Sequence, residues 1–356
     1  MPLATSSTPF IVTHASGLHA VAHHLNRLHQ ETFRVDGDGP QRSVRLSVLN
    51  LVAACITEED ADIAMQTVGN LAQSHPARAI IVIADPDNAN EGIEADLSLQ
   101  CVAIGDGQVC AEQVRLSVHG EAAYHLASVV TPLLVPDIPV YLWLVGSPPL
   151  RQAFGHDAIA ICERLIIDSG GYPDVAQTMS MVAVALGQRG DAVGIADLAW
   201  ERIRTWREHI AQVFDGPELT TFVHRIVQLD VECCGRQPST QAWLLAGWFA
   251  DRLSWDDAGP QVSATAAEVD GVPEHDLSAV RISCSDGDHH ATVTVERREK
   301  TLYTTIAVDG GTSASRAMGL DSPEIVNLVG GLLEDSQSDP TYPGALRQAV
   351  RQAART

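Results

Sequence analysis

Hydrophobic and polar positions along this chain follow two periods, and the switches between them mark out its elements. Leu18, Val21, Leu25 and Leu28 recur at helical spacing and predict a helix over 15–34, stopped by the polar break Asp36-Gly37-Asp38-Gly39-Pro40. Val44 to Ile56 is a long apolar run, the pattern of a buried central strand. Thr57-Glu58-Glu59-Asp60 reads as a helix start, with Thr57 as N-cap and acids in the first turn. That helix is expected to run to about His75, before Pro76. Ala79 to Ala84 is a short strand, and residues 93–104 and 109–119 alternate around Gly105-Asp106-Gly107-Gln108 as a hairpin. A helix over Glu121–Leu134, a buried strand over Val140–Val145 and a helix–strand–helix passage over 152–189 follow, the last with Leu165-Ile166-Ile167-Asp168 as its strand.

The second half shows a similar order. Asp197 to Phe214 is an amphipathic helix with Leu198, Ile203, Ile210 and Val213 on one stripe. Thr221 to Cys233 is a strand, and Thr240 to Leu253 a helix capped by Ser239. Residues 256–276 are polar, contain Gly and Pro, and read as a loop or insertion. Three strands, Val280–Cys284, Ala291–Glu296 and Leu302–Val308, are joined by tight turns, and Ser322-Pro323-Glu324 opens a helix to about Leu333. Both halves thus read helix, strand, helix, three strands, helix. The expectation is an α/β protein of two similar domains, 1–190 and 191–356, with mixed sheets covered by helices and an internal duplication.

Length agrees: 356 residues exceed one ordinary core. The net charge of −22 opposes phosphate backbones and anionic headgroups, so neither nucleic acid nor a membrane is an expected partner. Lys300 is the only lysine and lies in a charged turn, which removes P-loop and Schiff-base chemistry. Met1 to Phe10 has no basic region followed by an apolar one, and the most apolar stretch, Leu133 to Val145, is interrupted by Pro136, Asp137 and Pro139. With seven cysteines in no framework spacing, the expected compartment is the reducing cytoplasm.

A search for chemistry returns little. Gly105-Asp106-Gly107 and Gly310-Gly311-Thr312-Ser313 lack dinucleotide spacing and read as turns, and no G-x-S-x-G elbow occurs. His14, His19, His23, His24 and His29 crowd the first helix, but without an interleaved acid they read as a solvated face. Cys233 and Cys234 are adjacent, with Cys284, His289 and His290 further on; a redox pair, a zinc site and buried strand cysteines all remain open. Arg42, Arg45 and Arg78 near strand starts offer a candidate anion site for a sugar phosphate, against which stands pairing with the abundant acids. No catalytic residue, metal site or cofactor is expected.

Several stretches go beyond what composition explains. Val48-Leu49-Asn50-Leu51-Val52, His75-Pro76-Ala77-Arg78, Leu133-Leu134-Val135-Pro136-Asp137-Ile138-Pro139-Val140-Tyr141-Leu142-Trp143 and Leu165-Ile166-Ile167-Asp168-Ser169 are followed by Asp197-Leu198-Ala199-Trp200, Thr205-Trp206-Arg207-Glu208 and Phe214-Asp215. In this order and spacing, from about residue 42 to the last helix, the chain resembles the OpcA family of glucose-6-phosphate dehydrogenase assembly proteins.

The resemblance implies a non-catalytic partner that binds glucose-6-phosphate dehydrogenase and promotes its active oligomer, supporting the oxidative pentose phosphate pathway. In cyanobacterial members it implies activation linked to thiol redox state through thioredoxin. The residues named for partner contact are Pro136, Pro139, Trp143, Trp200, Trp206 and Arg207, because Trp and Arg dominate binding hot spots. The competing reading is that the tryptophans are core. The rival function is a sugar-phosphate enzyme using the arginine cluster.

Overall fold

The computed structural model describes residues 11–32, 42–45, 47–72, 74–104, 107–146, 153–189, 194–256, 258–320, 324–334 and 338–355. Contacts divide the chain into two compact units: Met1–Asp168 with Asp191–Ala196 and Ile325–Gln337, and Ser169–Gly190 with Asp197–Glu324 and Ser338–Thr356.

The first unit is built on a nine-stranded mixed sheet. Its centre is the parallel set β3 (Leu49–Cys55), β4 (Ala77–Asp85), β6 (Gly107–His119), β7 (Val140–Leu144) and β8 (Arg164–Ile167). Their order in the sheet is β6, β4, β3, β7, β8. Every residue of β3, β7 and β8 is buried, as is nearly all of β4. Parallel strands covered on both faces need such unbroken apolar runs. The helix α2 (Glu58–Leu71) crosses from β3 to β4, and Thr57 caps it by accepting the Asp60 N–H at 3.1 Å. Outside the parallel set, β5 (Gly92–Ile104) pairs antiparallel with β6 and with β1 (Ile11–Ser16), which precedes α1 (Leu18–Thr32). Val21 and Leu25 of the expected α1 stripe are buried. The short β9 (Gly194–Asp197) is the far edge, beside β8.

Three expectations change here. Residues 11–16 form a strand before α1. The run from Val44 is two strands, β2 (Arg42–Arg45), which pairs with β6, and β3. The helix expected over Glu121–Leu134 is a 3₁₀ turn, the short α3 (Leu126–Val130) and another 3₁₀ turn holding Pro132, which cannot continue an α-helix. Beyond β7, α4 (Ala153–Ala160) leads to β8.

The second unit has a six-stranded sheet in the order β11 (Gln261–Ala267), β10 (Ile226–Cys234), β12 (Leu277–Ser285), β13 (His290–Arg298), β14 (Thr301–Val308), β15 (Gly311–Gly319). All neighbours are antiparallel except β10 and β11, joined across α8 (Thr240–Arg252). Ser239 caps α8 as expected. Strands β12 and β13 alternate buried and part-exposed positions, so one face packs and the other meets solvent. The loop expected over 256–276 contains β11, missed because Gln261-Val262-Ser263-Ala264-Thr265-Ala266-Ala267 alternates without a large apolar residue. The final strand β15 was missed for the same reason. The helix expected over Asp197–Phe214 divides at Ile203 into α6 (Leu198–Arg202) and α7 (Arg204–Phe214).

Helices α5 (Val175–Arg189) and α10 (Tyr342–Ala353) pack with α8 in this unit, whereas α9 (Ile325–Glu334) packs on α2 in the first. Contact between α8 and α10 is close: a Cβ on Gly247 would lie 2.6 Å from the Ala349 backbone nitrogen. Both sheets contain a strand–helix–strand crossover between adjacent parallel strands, β3-α2-β4 and β7-α4-β8 in the first and β10-α8-β11 in the second, but the neighbours differ. In the first sheet β3 has parallel strands on both sides; in the second β10 has β12 antiparallel on its other side.

Candidate functional site

The stretches that carry the family resemblance are scattered in sequence but meet in two buried polar networks, one in each unit. In the first, Asn50 and Arg78 are opposite each other near the amino ends of β3 and β4. The Asn50 side chain donates to the Val135 carbonyl at 3.0 Å and accepts the Val135 N–H at 2.8 Å. Arg78 donates to Glu112 through Nε at 2.9 Å and to the Leu133 carbonyl through an NH1 proton at 2.8 Å. Burial lowers the Arg78 pKa to about 10, which still leaves it charged at neutral pH. Segment 133–139 is thus fastened by two side chains that sit inside apolar strands. Pro136 is exposed and Pro139 half-buried on this segment. Asp137 between them has φ 62, in the left-handed region.

Arg78 is therefore not an open anion site, because its guanidinium is occupied by Glu112 and the Leu133 carbonyl. The side chains of Arg42 and Arg45 lie outside the described residues. Trp143, at 1% exposure on β7, is a core residue of the first unit.

The second network surrounds Asp197, the N-cap of α6, which is 1% exposed. Its carboxylate accepts the Ser169 N–H at 3.0 Å, the Ser169 hydroxyl at 2.6 Å, the Ala199 N–H at 3.0 Å and the Tyr342 hydroxyl at 2.7 Å. Four donors supply what water would otherwise supply to a buried charge. Burial, and then the charge of Asp197, push the Tyr342 pKa well up, so the phenol stays a donor.

Beside it, Asp339 accepts the Trp200 indole N–H at 2.7 Å and the Thr341 N–H and hydroxyl at 2.8 and 2.6 Å. Arg207 lies over the Trp200 ring, 3.6 Å from its centroid, and meets Asp339 at 3.4 Å. Burial works to raise the Asp339 pKa, but the donors and Arg207 outweigh it and the net shift is downward. Burial lowers that of Arg207. Trp200 and Trp206 are 1% and 2% exposed, so their rings are packing groups in the isolated chain, contrary to their choice as contact residues. Arg207 keeps a partly exposed edge.

Asn50 and Arg78 are at the amino ends of parallel strands, whereas ligands of open α/β sheets gather at the carboxyl ends. At those ends, where connections leave β3 toward β4 and β7 toward β8, the first turn of α2 carries Glu58, Glu59 and Asp60. Three acids there oppose a phosphate rather than cradle it. The second unit has an open cleft of about 310 Å³ lined by Gly170, Gly171, Tyr172, Pro173, Ser239 and His275, among others.

Among the described residues no three His, Cys, Asp or Glu side chains gather as a metal site. Cys233 and Cys234 are 0% and 8% exposed, and burial pushes the Cys284 thiol up to about 12, which makes it a poor nucleophile. His289 binds Asp309 at 2.8 Å rather than approaching a cysteine. No described helix is long and apolar enough to cross a membrane.

Sequence reasoning passed over Glu112, Ser169, Asp197, Asp339 and Tyr342 as site residues. Their one visible signal is a polar residue bordering or interrupting an apolar run, as Asn50 does within Val48–Ala54.

Two family models match this chain: glucose-6-phosphate dehydrogenase subunit N-terminal domain over residues 68–183, and the C-terminal domain of the same subunit over 193–346. Together they take in well over half of it. The putative OxPP cycle protein OpcA of Synechocystis sp. is 29% identical over 188 residues, 52% of this chain and 38% of that protein. That of Nostoc punctiforme is 27% identical over 194 residues, 54% of this chain and 41% of that protein. The matched region is thus well under two thirds of these relatives' length. A crystal structure of an oxidoreductase domain protein from Kribbella flavida aligns with 87% of this chain and 98% of its own at 8% identity, with a TM-score of only 0.38.

Proposed function

Because the chain belongs to the OpcA family of glucose-6-phosphate dehydrogenase assembly proteins, we propose that it is a non-catalytic partner that binds this dehydrogenase and favours its active oligomer. One observation carries the reading beyond the family match: the family-like stretches converge on buried networks that hold backbone in place. Such residues serve a presented surface. Contacts made better with the active conformation of the enzyme shift its equilibrium toward that conformation, and substrate must reciprocally tighten the complex.

The contact segment we favour is 135–139. Pro136 and Asp137 are exposed on it, and Asn50 and Arg78 hold it from beneath, so little ordering cost accompanies binding. Trp143, Trp200 and Trp206 support the surfaces instead of forming them. Thiol control through thioredoxin would have to act on buried sulfurs at Cys233 and Cys234, after the end of β10 opens. The proposed setting is the cytoplasm, where cysteines stay reduced.

The test is the rate of NADPH formation by the same organism's glucose-6-phosphate dehydrogenase at subsaturating substrate, titrated with this protein. The expected result is a saturable rise with co-elution on size exclusion. No rise and no complex, with and without reductant, would overturn the reading.

A further inference from the structure

The four strands that end the two sheet orders are not managed alike. In the first sheet, β1 is packed by α1, and β9 has four residues and runs directly into α6. In the second, β11 follows Pro260 and touches α8. The strand β15 is nine residues long and makes substantial contact with β14 alone among the described elements. Long open edges are pairing templates, and native proteins usually blunt them with proline, lysine or inward charge. Gly311-Thr312-Ser313-Ala314-Ser315-Arg316-Ala317-Met318-Gly319 has no proline, lysine or acid, and one charge, Arg316.

The direction of its free backbone groups follows from register. Leu320 N–H donates to the Lys300 carbonyl at 2.7 Å, next to the pair Thr301 and Gly319. Alternation along an antiparallel ladder then turns the N–H and C=O of Met318, Arg316 and Ala314 toward β14. Those of Ala317 and Ser315 point away from the sheet, and both residues are exposed. The one register shift in this pairing lies at the Gly311 end, so 314–319 is regular.

We propose that β15 is a pairing edge through which two copies of this chain join their second sheets about a two-fold axis at Ala317. The occupant is a second copy because the strand is self-complementary in that register. Ala317 meets Ala317, Ser315 meets Gly319, and Arg316 meets Met318 instead of another Arg316. Residues with outward backbone groups coincide across the axis, giving about six hydrogen bonds. No side chain larger than Ser or Ala is opposed where backbone groups pair.

An edge alone buries less than the roughly 1,600 Å² of a standard interface, so the dimer is a micromolar one. Repulsion between two chains of −22 weakens it further at low salt, and screening relieves that. The pairing does not depend on the dehydrogenase reading.

The test is the light-scattering mass of the full chain across micromolar concentrations, in low salt and at about 0.5 M, where the Debye length is a few ångströms. Concentration-dependent growth from 38.1 kDa toward twice that value, stronger in high salt, is expected. Ala317→Pro removes an outward N–H and no bond to β14; Ala317→Lys places like charges across the axis. Each is expected to weaken the dimer at least tenfold with unchanged circular dichroism, and if one fails to fold, the other decides. A mass that stays monomeric in both salts overturns the proposal. So does a dimer that survives the folded variants, or β15 protection from hydrogen exchange only when the dehydrogenase is added.

Discussion

The two sheets handle polar groups in opposite ways. In the first unit the parallel strands β3 and β4 are buried on both faces, and the polar Asn50 and Arg78 near their amino ends, with Glu112 opposite Arg78 in the middle of β6, hold segment 133–139. In the second unit the antiparallel sheet keeps one face in solvent and carries Arg297 on β13, paired with Asp276 at 2.7 Å. The buried Asp197, which ends β9, starts a helix among hydroxyl and amide donors. A doubly covered sheet can present only its ends and loops to a partner, whereas a singly covered one also presents a face and an edge. The two proposed contacts follow this difference, by loop in the first unit and by strand in the second.

The largest expected effect is at Asp197. Asp197→Ala leaves the Tyr342 and Ser169 hydroxyls and two N–H groups facing a hole, and is expected to cost at least about 4 kcal/mol. Chemical denaturation monitored by tryptophan fluorescence should show the second unit unfolding first. Asp197→Asn, which keeps the acceptor oxygen and places an amide beside hydroxyl donors, should cost about half as much. Equal stability of Asp197→Ala and the parent chain would remove this network from the account.

In the first unit Arg78→Leu strands Glu112 at 2% exposure, and breaking a buried pair in this way typically costs about 3–5 kcal/mol. The double variant Arg78→Leu with Glu112→Leu should recover most of that loss, since an apolar pair replaces an ionic one. It should not recover the hydrogen bond to Leu133. Limited proteolysis is therefore expected to cut near 133–139 faster in the double variant even though its melting temperature returns. That split between stability and segment order would separate the two jobs of Arg78.

These two cases also show what was legible beforehand. The apolar run Val44–Ile56 contains β3 although the structure splits it into two strands, and the Thr57 cap gives its helix start correctly. Ser239 before α8 does the same. The strands β11 and β15 were not legible, because Ser, Thr, Ala and Gly carry little hydrophobic contrast and an edge position is a property of the sheet. The networks were half legible. Their residues lay inside quoted stretches, but the pairings Asn50–Val135, Ser169–Asp197 and Asp197–Tyr342 span 85, 28 and 145 positions, beyond any local period. The tryptophans were read for their binding chemistry, and burial, which composition alone does not report, decided them otherwise.

A smaller effect tests the loop as a contact. Asp137→Gly should be neutral or slightly stabilising, since glycine adopts φ 62 without strain. Asp137→Arg keeps the backbone demand and reverses an exposed charge. If segment 135–139 meets the dehydrogenase, Asp137→Arg should shift the activation midpoint about tenfold or more, roughly 1.4 kcal/mol of binding, with little change in melting temperature. An unchanged midpoint in a folded protein would move the contact elsewhere.

The smallest effects come from two histidines of the second unit with opposite signs. His209 is buried, its Nε2 2.6 Å from the Thr304 hydroxyl, and burial followed by the charge of Arg316 lowers its pKa below the usual 6.5. The unfolded chain binds the proton more readily, so stability is complete above about pH 6.5 and falls as pH drops below it. His289, fully exposed against Asp309, has its pKa raised by that carboxylate, so its contribution is present below pH 6.5 and lost as pH rises through the folded value. Being exposed, it should be nearly invisible in 0.5 M salt, whereas the His209 term is shielded from salt by burial. Melting temperatures from pH 7.5 to 5.5 should therefore fall, and His209→Gln should flatten the fall at either salt concentration. His289→Asn should steepen the fall slightly at low salt only. A parent chain whose melting temperature rises toward pH 5.5 in high salt would mean that His209 takes up its proton without leaving Thr304, and that the covered face of the second sheet admits charge as readily as the open one.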